Sequence, residues 1–223
     1  TGYWIKTSGA INQFIQGSAM PSVSANLLAG WNIIGSVDHE AAAPVGGIID
    51  SDVFTYTDTG YTPVTSIKPG YGYWVKAATS GTIVLGPEAQ PKSATLGQPN
   101  VTIIITDKLG RSRRLYLSDI SRNQFSPGNH ELPPPPPGDV FDARFETQQL
   151  IEGYSNDSKG EQRYPVQLQS PAYPLTVTCR FSDFTPQNIT IEEADDNSIT
   201  ARHTLTGDQS AVIKQGDAIW INI

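Results

Sequence analysis

Hydrophobic and polar positions alternate along this chain in short runs, and glycine, proline or Asp/Asn/Ser clusters bound most of the runs. Val140-Phe141-Asp142-Ala143-Arg144-Phe145 is the cleanest case. On a strand, Phe141, Ala143 and Phe145 face a core, while Asp142 and Arg144 share the outer face. That pair is expected to be surface glue of small value. The same pattern predicts strands at 3–6, 11–15, 30–35, 53–57, 61–64, 72–76, 82–85, 101–106, 113–117, 164–169, 175–181, 189–193, 199–205, 211–214 and 218–223. Asp58-Thr59-Gly60 reads as a hairpin turn, and Lys68-Pro69-Gly70 suits a type II turn. Residues 18–29 read as a connector, and 36–50 as a loop with one helical turn at most. No dozen residues carry Leu, Ala, Glu and Lys at helical spacing, so the expected class is all-β.

One run occurs twice. Gly2-Tyr3-Trp4-Ile5-Lys6 is repeated as Gly72-Tyr73-Trp74-Val75-Lys76, and Thr7-Ser8-Gly9 as Thr79-Ser80-Gly81. Self-similarity of this kind signals a repeated structural unit. The first copy reads as only the tail of a unit. Residues 1–17 are therefore expected to be the closing strands of a preceding repeat, with the missing part cut away or supplied by another molecule. The first residue is not Met, which suggests a processed, cut or engineered end.

Texture divides the chain further. Residues 18–86 read as a small β module, too small to bury much core alone. Residues 87–99, with Pro87, Pro91, Gly97 and Pro99, read as a linker. Residues 100–223 carry longer strands and predict an antiparallel β-sandwich, immunoglobulin-like or jelly-roll-like. Inside it, Pro133–Pro137 imposes an extended polyproline II segment without backbone donors. It could serve as a ligand for an aromatic groove. A stiff brace along the sheet edge is the favoured reading, because strand-like sequence flanks it tightly.

Composition sharpens this picture. The 223 residues are 38% hydrophobic, with 20 Gly and 17 Pro, in keeping with many turns. The net charge is −7 and the basic residues cluster only at Arg111–Arg114, which argues against nucleic acid. No apolar run is long enough to span a membrane as a helix. The single cysteine, Cys179, excludes an internal disulfide and reads as a buried strand residue.

Candidate chemistry is sparse. His39, His130 and His203 are far apart, and Asp38-His39-Glu40 lacks further metal ligands at recognisable spacing. There is no Gly-x-Ser-x-Gly elbow, phosphate loop or dinucleotide fingerprint. Glu192-Glu193 point to opposite faces of a strand, and Asp195-Asp196-Asn197 could bind a hard cation but reads better as a solvated turn. The expectation is no enzyme, no cofactor and no metal. Trp31 and Trp74 are candidate glycan platforms, although strand-centre tryptophans more often pack a core. Tyr3, Trp4, Ile5, Ile11, Phe14 and Ile15 are the candidate assembly residues. A strand pair without its module is an aggregation hazard that strand addition to a neighbour would cure.

Two stretches carry a resemblance. Ala29-Gly30-Trp31-Asn32-Ile33-Ile34-Gly35 with Ile67-Lys68-Pro69-Gly70-Tyr71-Gly72-Tyr73-Trp74-Val75 is similar to a β-rich module of bacterial cell-surface and secreted proteins. Glu131-Leu132-Pro133–Pro137-Gly138-Asp139-Val140-Phe141-Asp142-Ala143-Arg144-Phe145 resembles the β-sandwich region before the sorting domain in cargo proteins of the type IX secretion system. The resemblance implies an extracellular or cell-surface location and a structural or adhesive role. No sorting domain is recognisable at the C-terminal end. Expected partners are copies of the chain, other modules of the same parent, or surface glycans.

Overall fold

The computed structural model describes residues 9, 12, 16–87, 99–120, 130–155, 160–182, 188–195, 198–216 and 218–223. The fold is all-β, with no helix among the described residues. The chain forms two compact units. The first holds the strands up to residue 85 without the hairpin tip Thr57–Tyr61; the second holds that tip and the strands from Val101 onward. The expected linker at 87–99 falls almost wholly outside the described residues. So do Tyr3, Trp4, Ile5, Ile11, Phe14 and Ile15.

The first unit contains β1 (Val23–Leu27), β2 (Gly30–Ile34), β3 (Ala41–Ala42), β6 (Ser66–Ile67), β7 (Tyr73–Ala77), β8 (Gly81–Leu85) and all but the tip residues of β4 (Val53–Thr57) and β5 (Gly60–Val64). They form a four-stranded sheet in the order β2-β7-β4-β5 and two small pairs, β1-β8 and β3-β6. The Lys68–Gly70 turn has Gly70 at φ 83°, the value a type II turn requires after proline. Pro63 lies on β5, an edge strand, where its missing N–H is tolerated.

Two expectations are corrected here. The connector at 18–29 contains β1, whose Val23, Ala25 and Leu27 face the core while Ser24 and Asn26 face water. The loop at 36–50 contains β3 and no helical turn. Both are short strands, and their partners lie distant in sequence: β1 pairs with β8 (Val23 opposite Leu85) and β3 with β6 (Ala41 opposite Ile67). Local propensity does not report such pairing.

The second unit is a sandwich of two five-stranded sheets. One has the order β12 (Ile151–Tyr154), β10 (Ser112–Asp119), β9 (Val101–Thr106), β14 (Leu175–Phe181), β17 (Gln209–Ile213). The other runs β11 (Asp142–Phe145), β13 (Arg163–Gln169), β18 (Ala218–Asn222), β15 (Ile189–Asp195), β16 (Ser198–Leu205). The pairings are antiparallel except β10–β12, which is parallel and departs from the expected all-antiparallel arrangement. Strand alternation fills the core with Ile103, Ile105, Val177, Cys179, Ile191, Ile219 and their neighbours. A bulge between Glu193 and Ala194 shifts the β15–β16 register.

Candidate functional site

β1 and β2 follow each other in the chain, yet they do not pair with each other. β1 bonds only to β8, and β2 ends its own sheet beside β7, among the described strands. The Asn32 side chain sets the corner between them. Its Oδ1 accepts the Leu28 N–H at 3.0 Å, and its Nδ2 donates to the carbonyls of Leu28 at 2.8 Å and Gly30 at 2.9 Å. A cleft of 710 Å³ opens between the two strands. Val23, Ala25, Leu27, Ile34 and Leu85 line it, and each belongs to the core of this unit or packs on it. Leu27, Ile34 and Leu85 are nevertheless buried, so the cleft borders the core without exposing it.

The four-stranded sheet is apolar on both faces. Tyr73, Val75 and Ala77 of β7 face the core. Trp74 faces away, opposite Ile33 on β2 and Phe54 on β4. Trp31 lies one step along the same face, its ring 6.4 Å from Trp74 at 83° and 6.1 Å from Phe54 at 62°. Edge-to-face contacts of this kind favour compact clusters. Phe54 is fully buried, while Trp31 and Trp74 are half-buried. Both candidate tryptophans thus stand outside the first unit's core cluster, on the face that also carries the buried Phe54. A smaller notch of 230 Å³ lies between Trp74, Tyr56 and the exposed Tyr71.

The second unit holds charged networks, and a depression of 570 Å³ is lined by Asp142, Arg144, Gln167 and Gln169. Asp142 and Arg144 do pair, with Nε 2.6 Å from Oδ2, but they are buried and not on the surface. The polyproline run covers them. Pro133 and Pro136 are buried while Pro134, Pro135 and Pro137 are exposed, as the three-residue period of polyproline II dictates. Its carbonyls serve as acceptors. Arg144 Nη1 donates to Pro133 at 3.0 Å, and Gln169 Nε2 to Pro136 and Pro137, each at 3.1 Å. Tyr61, of the hairpin tip that clusters with this unit, donates its hydroxyl to Pro134 at 2.7 Å.

The Arg111–Arg114 cluster is dispersed by strand alternation. Arg111 binds Asp107, with Nε 2.8 Å from Oδ2. Arg113 is buried, its Nε 3.4 Å from Asp142 Oδ1, and Arg114 alone is exposed. On the other sheet, the buried Glu192 carboxylate takes Arg163 at 2.8 Å and Arg202 Nε at 2.8 Å. The Arg163 guanidinium also stacks 3.1 Å from the Trp220 ring centre. Glu193 has different partners, His203 Nε2 at 2.8 Å and the Lys214 backbone N–H at 3.3 Å.

Burial pushes the Cys179 thiol up to about 12, which makes it a poor nucleophile at neutral pH. His39 Nδ1 lies 2.6 Å from Asp38 Oδ1 at an exposed position. Among the described residues, no three His, Cys, Asp or Glu side chains converge as metal ligands, and no helix is long and apolar enough to cross a membrane. Asp196 and Asn197 lie outside the described residues. The sequence reading placed a strand at 30–35 but took 18–29 as a connector, so neither β1 nor the corner between the two strands was found. Comparison with known protein families, curated proteins and solved structures returns no match.

Proposed function

We propose that this chain is a non-catalytic structural protein of a bacterial surface or extracellular matrix, and that copies of it assemble head to tail by strand complementation. The observation that carries the reading is the cleft between β1 and β2. Among the described strands, two edge strands flank it, and core side chains line it. Edge strands template the addition of another strand. The polar networks of the second unit favour the same reading: their carboxylates are engaged by arginines within the fold, which braces a rigid module. An extracellular setting rests on the resemblance of the Gly30–Gly35 and Glu131–Phe145 stretches to modules of exported bacterial proteins.

Electron microscopy and native mass measurement of the purified chain test this. Open oligomers or fibres growing with concentration are the expected result. A strictly monomeric protein up to high concentration would sink the proposal.

A second reading is favoured by the placement of Trp31 and Trp74 together on the non-core face. There the module acts as a carbohydrate-binding appendage. Glycan-array binding that Trp31→Ala and Trp74→Ala abolish, with the fold retained, would select it.

A further inference from the structure

We propose that the depression beside the polyproline run is a binding site for a neutral sugar, read by the side-chain amides of Gln167 and Gln169. The site belongs to the second unit, does not depend on strand assembly, and uses neither Trp31 nor Trp74.

Gln167 and Gln169 stand two positions apart on β13, so both point to the outer face of their sheet while Val166 points into the core. Ala218 of β18 lies opposite Gln167. It lines the depression of 570 Å³ together with Pro135 of the polyproline run, and its single methyl leaves that space open. The volume falls within the range of small-molecule sites, about 300–1,000 Å³. Pro135 and Gln167 are exposed, and Gln169 and Ala218 are half-buried, so these groups meet solvent. Asp142 and Arg144 are closed off at 4% and 3% exposure and make no contact with a ligand.

The buried pair acts through the orientation of the amides. Arg144 Nη1 can only donate, so it fixes Gln148 Oε1 as its acceptor at 3.0 Å. Gln148 Nε2 then donates to Gln167 Oε1 at 3.3 Å. That leaves Gln167 Nε2 as a donor without a partner among the described residues. Gln169 is set the opposite way. Its Nε2 is committed to the carbonyls of Pro136, Pro137 and Val140, and its Oε1 remains as an acceptor without a partner among the described residues. One preset donor and one preset acceptor thus stand side by side, on residues roughly 7 Å apart along the strand.

The ligand class follows from this inventory. The charges that line the depression, Asp142 and Arg144, cancel within their own ion pair, which favours neither an anion nor a cation. Hydroxyl groups both donate and accept, so neighbouring hydroxyls of one sugar ring satisfy both amides. β13 is paired on both sides, with β11 and β18, and offers no backbone to an extended peptide. Trp220, further along β18, already carries the Arg163 guanidinium on its ring. The site therefore reads hydroxyls and does not stack ring faces.

Titration of the full chain with maltose, cellobiose, lactose and xylobiose, followed by NMR, tests the proposal. At least one of them should shift the side-chain amide resonances of Gln167 and Gln169. Gln167→Ala and Ala218→Leu should each weaken that binding about tenfold, the loss that one hydrogen bond accounts for, with the melting temperature near the parent's. Trp31→Ala with Trp74→Ala should leave it unchanged. Silence of both amides toward all four sugars overturns the proposal, and so does binding that survives Gln167→Ala in a folded chain. Binding lost with the tryptophans and kept in Gln167→Ala would reject this site and select the carbohydrate reading of the first unit given above. Should Ala218→Leu fail to fold, Gln167→Ala decides alone, since that exposed side chain makes one hydrogen bond among the described residues.

Discussion

Arg144 Nε lies 2.6 Å from Asp142 Oδ2, and the two residues are 3% and 4% exposed although they occupy the outer face of their strand. The polyproline run turns that outer face into an interior. Breaking a buried ion pair by removing one partner leaves an uncompensated charge. Arg144→Ala should therefore destabilise the second unit by about 3–5 kcal/mol, measured by urea unfolding. Combining it with Asp142→Ala should cost less than the sum of the two single changes.

Acid should weaken the same unit. Asp107 is buried, which raises its carboxyl, but bonds from the Arg111 side chain and from the backbone N–H groups of Arg111 and Ala172 outweigh that and hold it below 3.8. At Glu192, burial also raises, while Arg202, Asn222 and Arg163 bring the carboxyl below 4.5. A carboxyl depressed by folding contributes stability that is present above its unfolded value and lost as pH falls through its folded value. Urea midpoints should thus be flat near neutrality and fall below about pH 4. Asp107→Asn should lower the neutral midpoint and make the acid slope shallower; an unchanged slope would count against this account.

The Cys179 thiol should be silent in the folded protein. It is fully buried in the sandwich core, and burial raises it to about 12. A thiol reagent at pH 8 should label the native chain negligibly and the urea-unfolded chain completely. Fast labelling under native conditions would mean that the β14 region opens readily.

Gly86 is a backbone requirement. It sits at φ 137°, and a Cβ there would lie 2.7 Å from the Pro21 carbonyl oxygen. Gly86→Ala should destabilise the first unit by about 1–3 kcal/mol, read from its thermal unfolding.

Gln169 anchors the brace. Its Nε2 donates to the carbonyls of Pro136, Pro137 and Val140. Gln169→Ala should cost about 0.5–1.5 kcal/mol, because partly buried carbonyls lose their donor. A variant as stable as the parent would show that the prolines hold the run without it.

The sequence by itself determined the all-β class, the 58–60 and 68–70 turns, and the strands whose alternation buries Ile103, Ile105, Val177 and Ile219. Those features depend on neighbours two or three positions apart, and the chain records them directly. It also carried the repeat of Gly2–Lys6 at Gly72–Lys76. It did not reveal β1, β3 or β12, the parallel β10–β12 pair, or the burial of Asp142 and Arg144. Each of these follows from a partner distant in the chain: β8 for β1, β6 for β3, β10 for β12, and the polyproline run for the ion pair. The cleft is of the same kind. Whether two consecutive strands close into a hairpin or part company depends on the sheets each one joins, and only the tertiary structure decides that, because sheet bonds are made across the chain and not along it.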